Sequence, residues 1–161
     1  MNLVAEAPSL LIGLLALLLL AGAVEDAVRL RISNLISLAI LLLAAAAAVA
    51  SGIELAIWQN LLLFAALLAL GTVLFSTGKF GGGDVKLLAV TGLWFDLMGA
   101  LGMLAAVFIA GGALALLIIG ARAVAPERLS RRTAVLRPGS GIPYGVAIAA
   151  GTLITIGLER L

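Results

Sequence analysis

LVAEAPSLLIGLLALLLLAGAV, from Leu3 to Val24, is the stretch on which the reading of the whole chain turns. A spanning helix needs about 20 largely apolar residues to cross roughly 30 Å of hydrocarbon. This stretch supplies them, with Glu6 as its one acid near the outer end. The N-terminus offers Asn2 and Glu6 before the apolar run at Leu10, without the opening positive charge of a cleavable leader. The segment therefore reads as a retained membrane helix.

The same pattern repeats outward. Apolar runs from Leu35 to Ala50, Leu55 to Phe75, Val85 to Ala121 and Ile142 to Leu158 alternate with short polar breaks. Hydrophobic residues make up 64% of the 161 and charged residues 11%, against roughly 45–50% and about 25% in a soluble domain. The expectation is an all-α, polytopic membrane protein, with residues 1–161 forming a single transmembrane domain. Cysteine and histidine are both absent. That removes disulfides, thiol nucleophiles, histidine bases and the usual zinc ligands, and no cofactor or metal is expected.

The pI near 9.7 does not point to nucleic acid, because the basic residues sit in short loops between apolar runs. There they set orientation. With alternating crossings, Arg29, Arg31, Lys79, Lys86, Arg122, Arg128, Arg131, Arg132 and Arg137 fall on one side and Arg160 on the other. The first side is expected to be cytoplasmic, with both termini outside. The parity requires two crossings between Lys86 and Arg122, yet the intervening residues at about 1.5 Å each provide only roughly 52 Å. About six transmembrane helices are thus expected. The fourth, Val85 to Phe95, should be short, with a turn near Asp96 to Gly102.

Three polar clusters fall on the expected cytoplasmic face. They are Glu25-Asp26 with Arg29, Arg31 and Asn34; Gly81-Gly82-Gly83-Asp84-Val85-Lys86; and Gly139 to Gly145 with Pro143 and Tyr144. Packing the first and fourth helices together would bring Asp26 and Asp84 to one depth. Closely spaced carboxylates cannot both ionise, so one can serve as base on a water while the other, protonated, polarises a carbonyl. Glycines before Asp84 permit unusual backbone angles and close approach of an extended peptide. An acid fully immersed in the bilayer costs about 2.5–3.5 kcal/mol on insertion scales, and such a cost usually accompanies a function.

Structural explanations compete at each position. Asp26 alone reads equally as an ordinary juxtamembrane acid, and a triple glycine alone is a common flexible turn. Arg29 and Arg31 read as topology determinants, Ser33 or Asn34 as a helix cap, and Pro143 as the first turn of the last helix. Lys86 reads equally as a substrate contact or a snorkelling lysine. Glu25 lies about 100° from Asp26 around a helix and cannot share its site, and Asp96 falls on the opposite side.

Taken together, the segments resemble the type IV prepilin peptidases, and specifically the short form of tight-adherence (Flp) pilus systems. Asp26-Ala-Val-Arg-Leu-Arg-Ile-Ser33-Asn34 resembles the family's first catalytic aspartate with its following basic residues and Ile-Pro-Asn. Phe80 to Leu87 is similar to its GxGD motif, and Ile142-Pro143-Tyr144-Gly145 to its C-terminal Pro-Tyr-Gly segment. The resemblance implies an aspartic endopeptidase of the bacterial inner membrane, with Asp26 and Asp84 as catalytic pair. Gly81, Gly83, Lys86, Asn34, Pro143 and Tyr144 would shape the site or contact substrate. The substrate would be a prepilin or pseudopilin anchored in the bilayer by its own helix, cut on the cytoplasmic face. The longer members also N-methylate the product through an added region that often carries cysteine pairs; without that length or those cysteines, cleavage without methylation is expected. Ser33 stands where the family usually has proline. Two readings compete with this one: a non-catalytic assembly subunit of a pilus or secretion system, and a small proton-coupled carrier using Asp26 and Asp84 as relay acids.

Overall fold

The computed structural model describes residues 1–78, 80–126, 133–137 and 139–161. Lys79, Arg128, Arg131 and Arg132, which entered the charge count, lie outside them. Among the described residues the chain is helical throughout. A single-turn helix α1 (Leu3–Glu6) is followed by α2 (Ser9–Arg29), α3 (Asn34–Ser51), α4 (Ile57–Ser76), α5 (Gly82–Gly92), α6 (Leu97–Val124) and, after a 3₁₀ turn at Ala134–Leu136, α7 (Tyr144–Glu159). By length and composition α2, α3, α4 and α6 can each cross a membrane, and α7 is a shorter apolar helix. The expected class, an all-α polytopic membrane protein with a short fourth major helix, is what the fold shows.

Two boundaries differ from the sequence reading. The run beginning at Leu3 is not one helix, because Pro8 at φ −52° forces Ala7 into extended backbone with ψ 150° and separates α1 from α2. In exchange, α2 continues past Val24 to Arg29, which draws Asp26 inside the helix. The turn expected at Asp96 to Gly102 is tighter, since the Asp96 carboxylate accepts from Gly99 N–H at 2.8 Å and starts α6 at Leu97.

Small residues set how close the helices come, as is usual where apolar packing against lipid gives no advantage. A Cβ on Gly71 of α4 would lie 2.5 Å from Val85 of α5, and one on Gly92 of α5 would lie 2.6 Å from Leu67 of α4. Gly151 brings α7 against the Val107 backbone of α6. α5 is wedged among α3, α4 and α7. The large apolar side chains left exposed, such as Leu10, Leu42, Leu62 and Ile109, cover the outer faces that meet lipid.

A helix of 11 residues reaches only about 16 Å, and the turn that follows it, Leu93 to Phe95, is buried, so its carbonyls need internal donors. Asn60 of α4, 1% exposed, supplies them: its amide nitrogen donates to Leu93 O and Met1 O at 2.9 Å and to Phe95 O at 3.0 Å. Val4 N–H donates to Trp94 O at 3.0 Å. Arg160 closes the same end by donating to Val4 O at 2.8 Å and to Ala7 O, while Asn2 donates to Glu159 at 2.9 Å. Replacing Asn60 with leucine orphans these carbonyls and is expected to lower stability by about 1–3 kcal/mol. Thermal unfolding in detergent measures it, and an unchanged midpoint would show that the clamp carries no weight.

Candidate active site

The opposite end of the bundle is open. There the end of α2, the start of α5 and the start of α7 converge on a cleft of about 640 Å³ lined by Asp26, Leu30, Phe80, Gly81, Asp84 and Tyr144 together with Ile119, Arg122 and Ser140 to Ile142. Of the four helices that line it, α2 and α5 contribute a carboxylate each, α7 contributes polar backbone, and α6 contributes Ile119 and Arg122.

Asp26 lies in the last helical turn of α2 and is only 4% exposed. A buried carboxylate needs hydrogen-bond donors, and here Gly145 N–H donates to Asp26 Oδ2 at 2.7 Å. Gly145 sits in the first turn of α7, where backbone N–H groups have no intrahelical acceptor. The approach is tight. A Cβ on Gly145 would stand 2.8 Å from Asp26 Oδ2 and 2.7 Å from Ile32 Cδ1, so glycine is needed there for space.

Asp84 enters from the first turn of α5, half-buried, within electrostatic reach of Asp26 and of the Gly81 and Gly145 backbone N–H groups. The N–H that bonds Asp26 thus also acts on the Asp84 carboxyl. Gly81 lies beside Asp84 Oδ2, 2.6 Å from where its Cβ would be, and Gly83 fits against the Ile32 backbone, with a Cβ 3.3 Å from Ile32 N and O. Of the two reasons read in the sequence for the triple glycine, unusual backbone angles and close approach, the second applies here, and the near neighbours are the protein's own. Positive φ among the glycines occurs at Gly52, Gly78 and Gly139; at Gly81 and Gly83 the requirement is close approach.

Tyr144 stacks at a tilt on Phe80, ring centroids 4.9 Å apart, and its phenol lies against Gly111, which leaves room for it on α6. Behind this pair is an apolar cavity of about 140 Å³ between α4, α5 and α6, bounded by Leu67, Leu74, Val85, Leu104 and Phe108 and sharing Phe80 and Tyr144 with the cleft. Pro143 is buried at the start of α7.

Lys86 and Asn34 lie elsewhere. Lys86 Nζ donates to Asn34 Oδ1 at 2.9 Å on an exposed surface, joining α5 to α3 outside the cleft. Two residues beyond Asp84 on a helix is about 200° of rotation, which turns Lys86 away. Glu25 points away as well: it accepts from Ser33 N–H at 2.9 Å and pairs with Arg29 at 3.4 Å. Ser33 caps α3 by accepting from Ile36 N–H at 3.4 Å.

Ser33 has φ −70°, already suited to proline, and its N–H is used by Glu25. Ser33→Pro would gain about 0.4–1 kcal/mol from a stiffer unfolded chain and lose one hydrogen bond of similar size. The expected stability is within about 1 kcal/mol of the parent, by the same balance, with function kept. A larger shift in detergent unfolding would mean that this loop does more than connect α2 and α3.

Three residues at or beside the cleft were not singled out in the sequence reading. Gly145 stood within the Pro-Tyr-Gly segment but carried no side chain to mark it, and Arg122 looked like any basic residue at a membrane edge. Leu30, in left-handed backbone at φ 53°, ends α2 and also lines the cleft.

A multi-pass helical bundle with two carboxyls lining one cleft at its end defines the class: a polytopic membrane protein with a paired-acid cleft. Residues 13–116 match the type IV leader peptidase family, and the chain belongs to that family. The match takes in Asp26 and Asp84 and stops short of α7. No curated protein and no solved structure matches the chain.

Proposed function

We propose that this protein is a membrane-embedded aspartic endopeptidase that removes the leader of Flp-type prepilins or pseudopilins at the cytoplasmic face of the bacterial inner membrane, without N-methylation. The observation that carries it is the convergence of Asp26 and Asp84 on one cleft, where the Gly145 N–H holds the Asp26 carboxyl. Family membership supports a leader peptidase in general. The excess of basic residues at the cleft end supports its cytoplasmic placement.

In this reading one carboxylate takes a proton from a water held between the two, and the water oxygen attacks the scissile carbonyl carbon. The other carboxyl, protonated, donates to the carbonyl oxygen as it gains charge. Collapse of the tetrahedral species returns a proton to the leaving amine and regenerates the shared proton. Gly145 N–H fixes the Asp26 carboxyl, and the buried Pro143 fixes the start of the helix that carries it. The apolar cavity behind Phe80 and Tyr144 suits a substrate whose scissile bond adjoins an apolar membrane helix.

Co-expression with an Flp-type prepilin, followed by mass spectrometry of the pilin N-terminus, tests the reading. A shortened pilin with an unmodified N-terminus is expected. An intact leader on every candidate, with the protein present in the membrane, would sink it in favour of a non-catalytic assembly subunit.

A further inference from the structure

Charge counting gives Arg122 only a topological duty, which any cation at the end of α6 could perform. Its hydrogen bonds are more particular. Nε and Nη2 donate to Val135 O at 2.9 and 2.7 Å, and Nη2 also reaches Ser140 O at 2.9 Å, Ser140 Oγ at 2.8 Å and Gly141 O at 3.0 Å. Ser140 Oγ in turn donates towards Val135 O at 3.2 Å and Arg137 O at 2.9 Å. A single guanidinium thus ties together carbonyls from both ends of the segment that leads into α7.

Arg122 lines the same cleft as Asp26 and Asp84, yet among the described residues it pairs with neither; the ion pair found there is Arg29 with Glu25. Its influence on the carboxyls runs through backbone. From Gly141 the chain passes Ile142, the φ-locked Pro143 and Tyr144 to Gly145, whose N–H binds Asp26. Little slack separates the anchored carbonyl of Gly141 from that N–H.

We propose that Arg122 is a positioning residue for the carboxyl pair, holding Val135, Ser140 and Gly141 so that Gly145 N–H and the Tyr144 ring meet Asp26 and Asp84 in register. The proposal rests on the peptidase reading only for its kinetic consequence. Lysine would keep the charge and the membrane orientation, but a point ammonium cannot reproduce a planar fork that reaches Val135, Ser140 and Gly141 at once.

The test compares Arg122→Lys with the parent in two measurements. Hydrogen exchange in the intact membrane protein should quicken in peptides covering Ile142 to Ala147 while the middle of α6 stays protected. Prepilin cleavage should lose about 10–100-fold in kcat, the cost of small misplacement of reacting groups, with KM nearly unchanged. Parental exchange and parental kcat in Arg122→Lys would overturn the proposal and leave Arg122 as a topology residue. Should the parent cleave no prepilin, the peptidase reading fails and the exchange result alone decides this one. If Arg122→Lys does not accumulate, Ser140→Ala removes one acceptor without touching charge. It should show the same two changes to a smaller degree, and their absence would equally overturn the proposal.

Discussion

Asp84→Asn is expected to abolish the proposed leader removal while the protein inserts and folds as before. Asparagine matches aspartate in size and can still hydrogen-bond the Gly81 backbone beside it, so α5 has no reason to move. It cannot take a proton from water or return one to an amine. Positioned acid–base catalysis is worth about 10²–10⁴-fold, and that is the minimum expected loss in cleavage rate, read by mass spectrometry of the pilin N-terminus. Asp26→Asn is expected to match it. Asp26 is the more buried of the two and its Oδ2 is engaged by Gly145 at 2.7 Å. An amide oxygen can accept that same bond, so the fold survives and the chemistry does not. Retained cleavage in either variant would remove that aspartate from the reaction.

Gly145→Ala is expected to be nearly as damaging although it adds one methyl group and alters no charge. The new carbon would meet Ile32 Cδ1 at 2.7 Å, Asp26 Oδ2 at 2.8 Å and Asp26 Cβ at 3.1 Å. The Ile32 methyl is the end of a flexible side chain and can turn aside. The Asp26 contacts cannot be relieved without moving α7 away from α2 or turning the carboxyl out of the cleft. Overpacking of this kind costs about 1–3 kcal/mol, and displacing a reacting group by about 1 Å can cost 10²-fold in rate. A lowered unfolding midpoint in detergent with a loss of cleavage out of proportion to it is the expected pattern. Parental behaviour would mean that the bond from Gly145 to Asp26 does not order the site.

Much of this architecture is legible in the residues because membranes impose simple rules. Length and hydropathy locate α2, α3, α4 and α6, and the shortage of residues between Lys86 and Arg122 reveals that one helix must be short. The features that were not legible depend on contacts between distant segments. Nothing around Asn60 shows that it will serve the carbonyls of Met1, Leu93 and Phe95; the break before α2, by contrast, had a local mark in Pro8. The triple glycine announces a close approach but not its neighbours, which turn out to be the Ile32 backbone and the Asp84 carboxyl. Lys86 and Asn34 stand close to the aspartates in sequence and bond each other outside the cleft. Arg122 is far from both in sequence and lines it.

The central claim is that Asp26 and Asp84 act as one catalytic unit, and the most direct measurement compares the leader-cleavage rates of Asp26→Asn, Asp84→Asn and the double variant at equal membrane abundance. Residues that work as a unit are grossly non-additive, since removing either removes the machinery. The account predicts that each single variant falls to the background rate and that the double variant is no slower than either. A partial loss in each single variant that multiplies in the double variant would show two independent groups and contradict it.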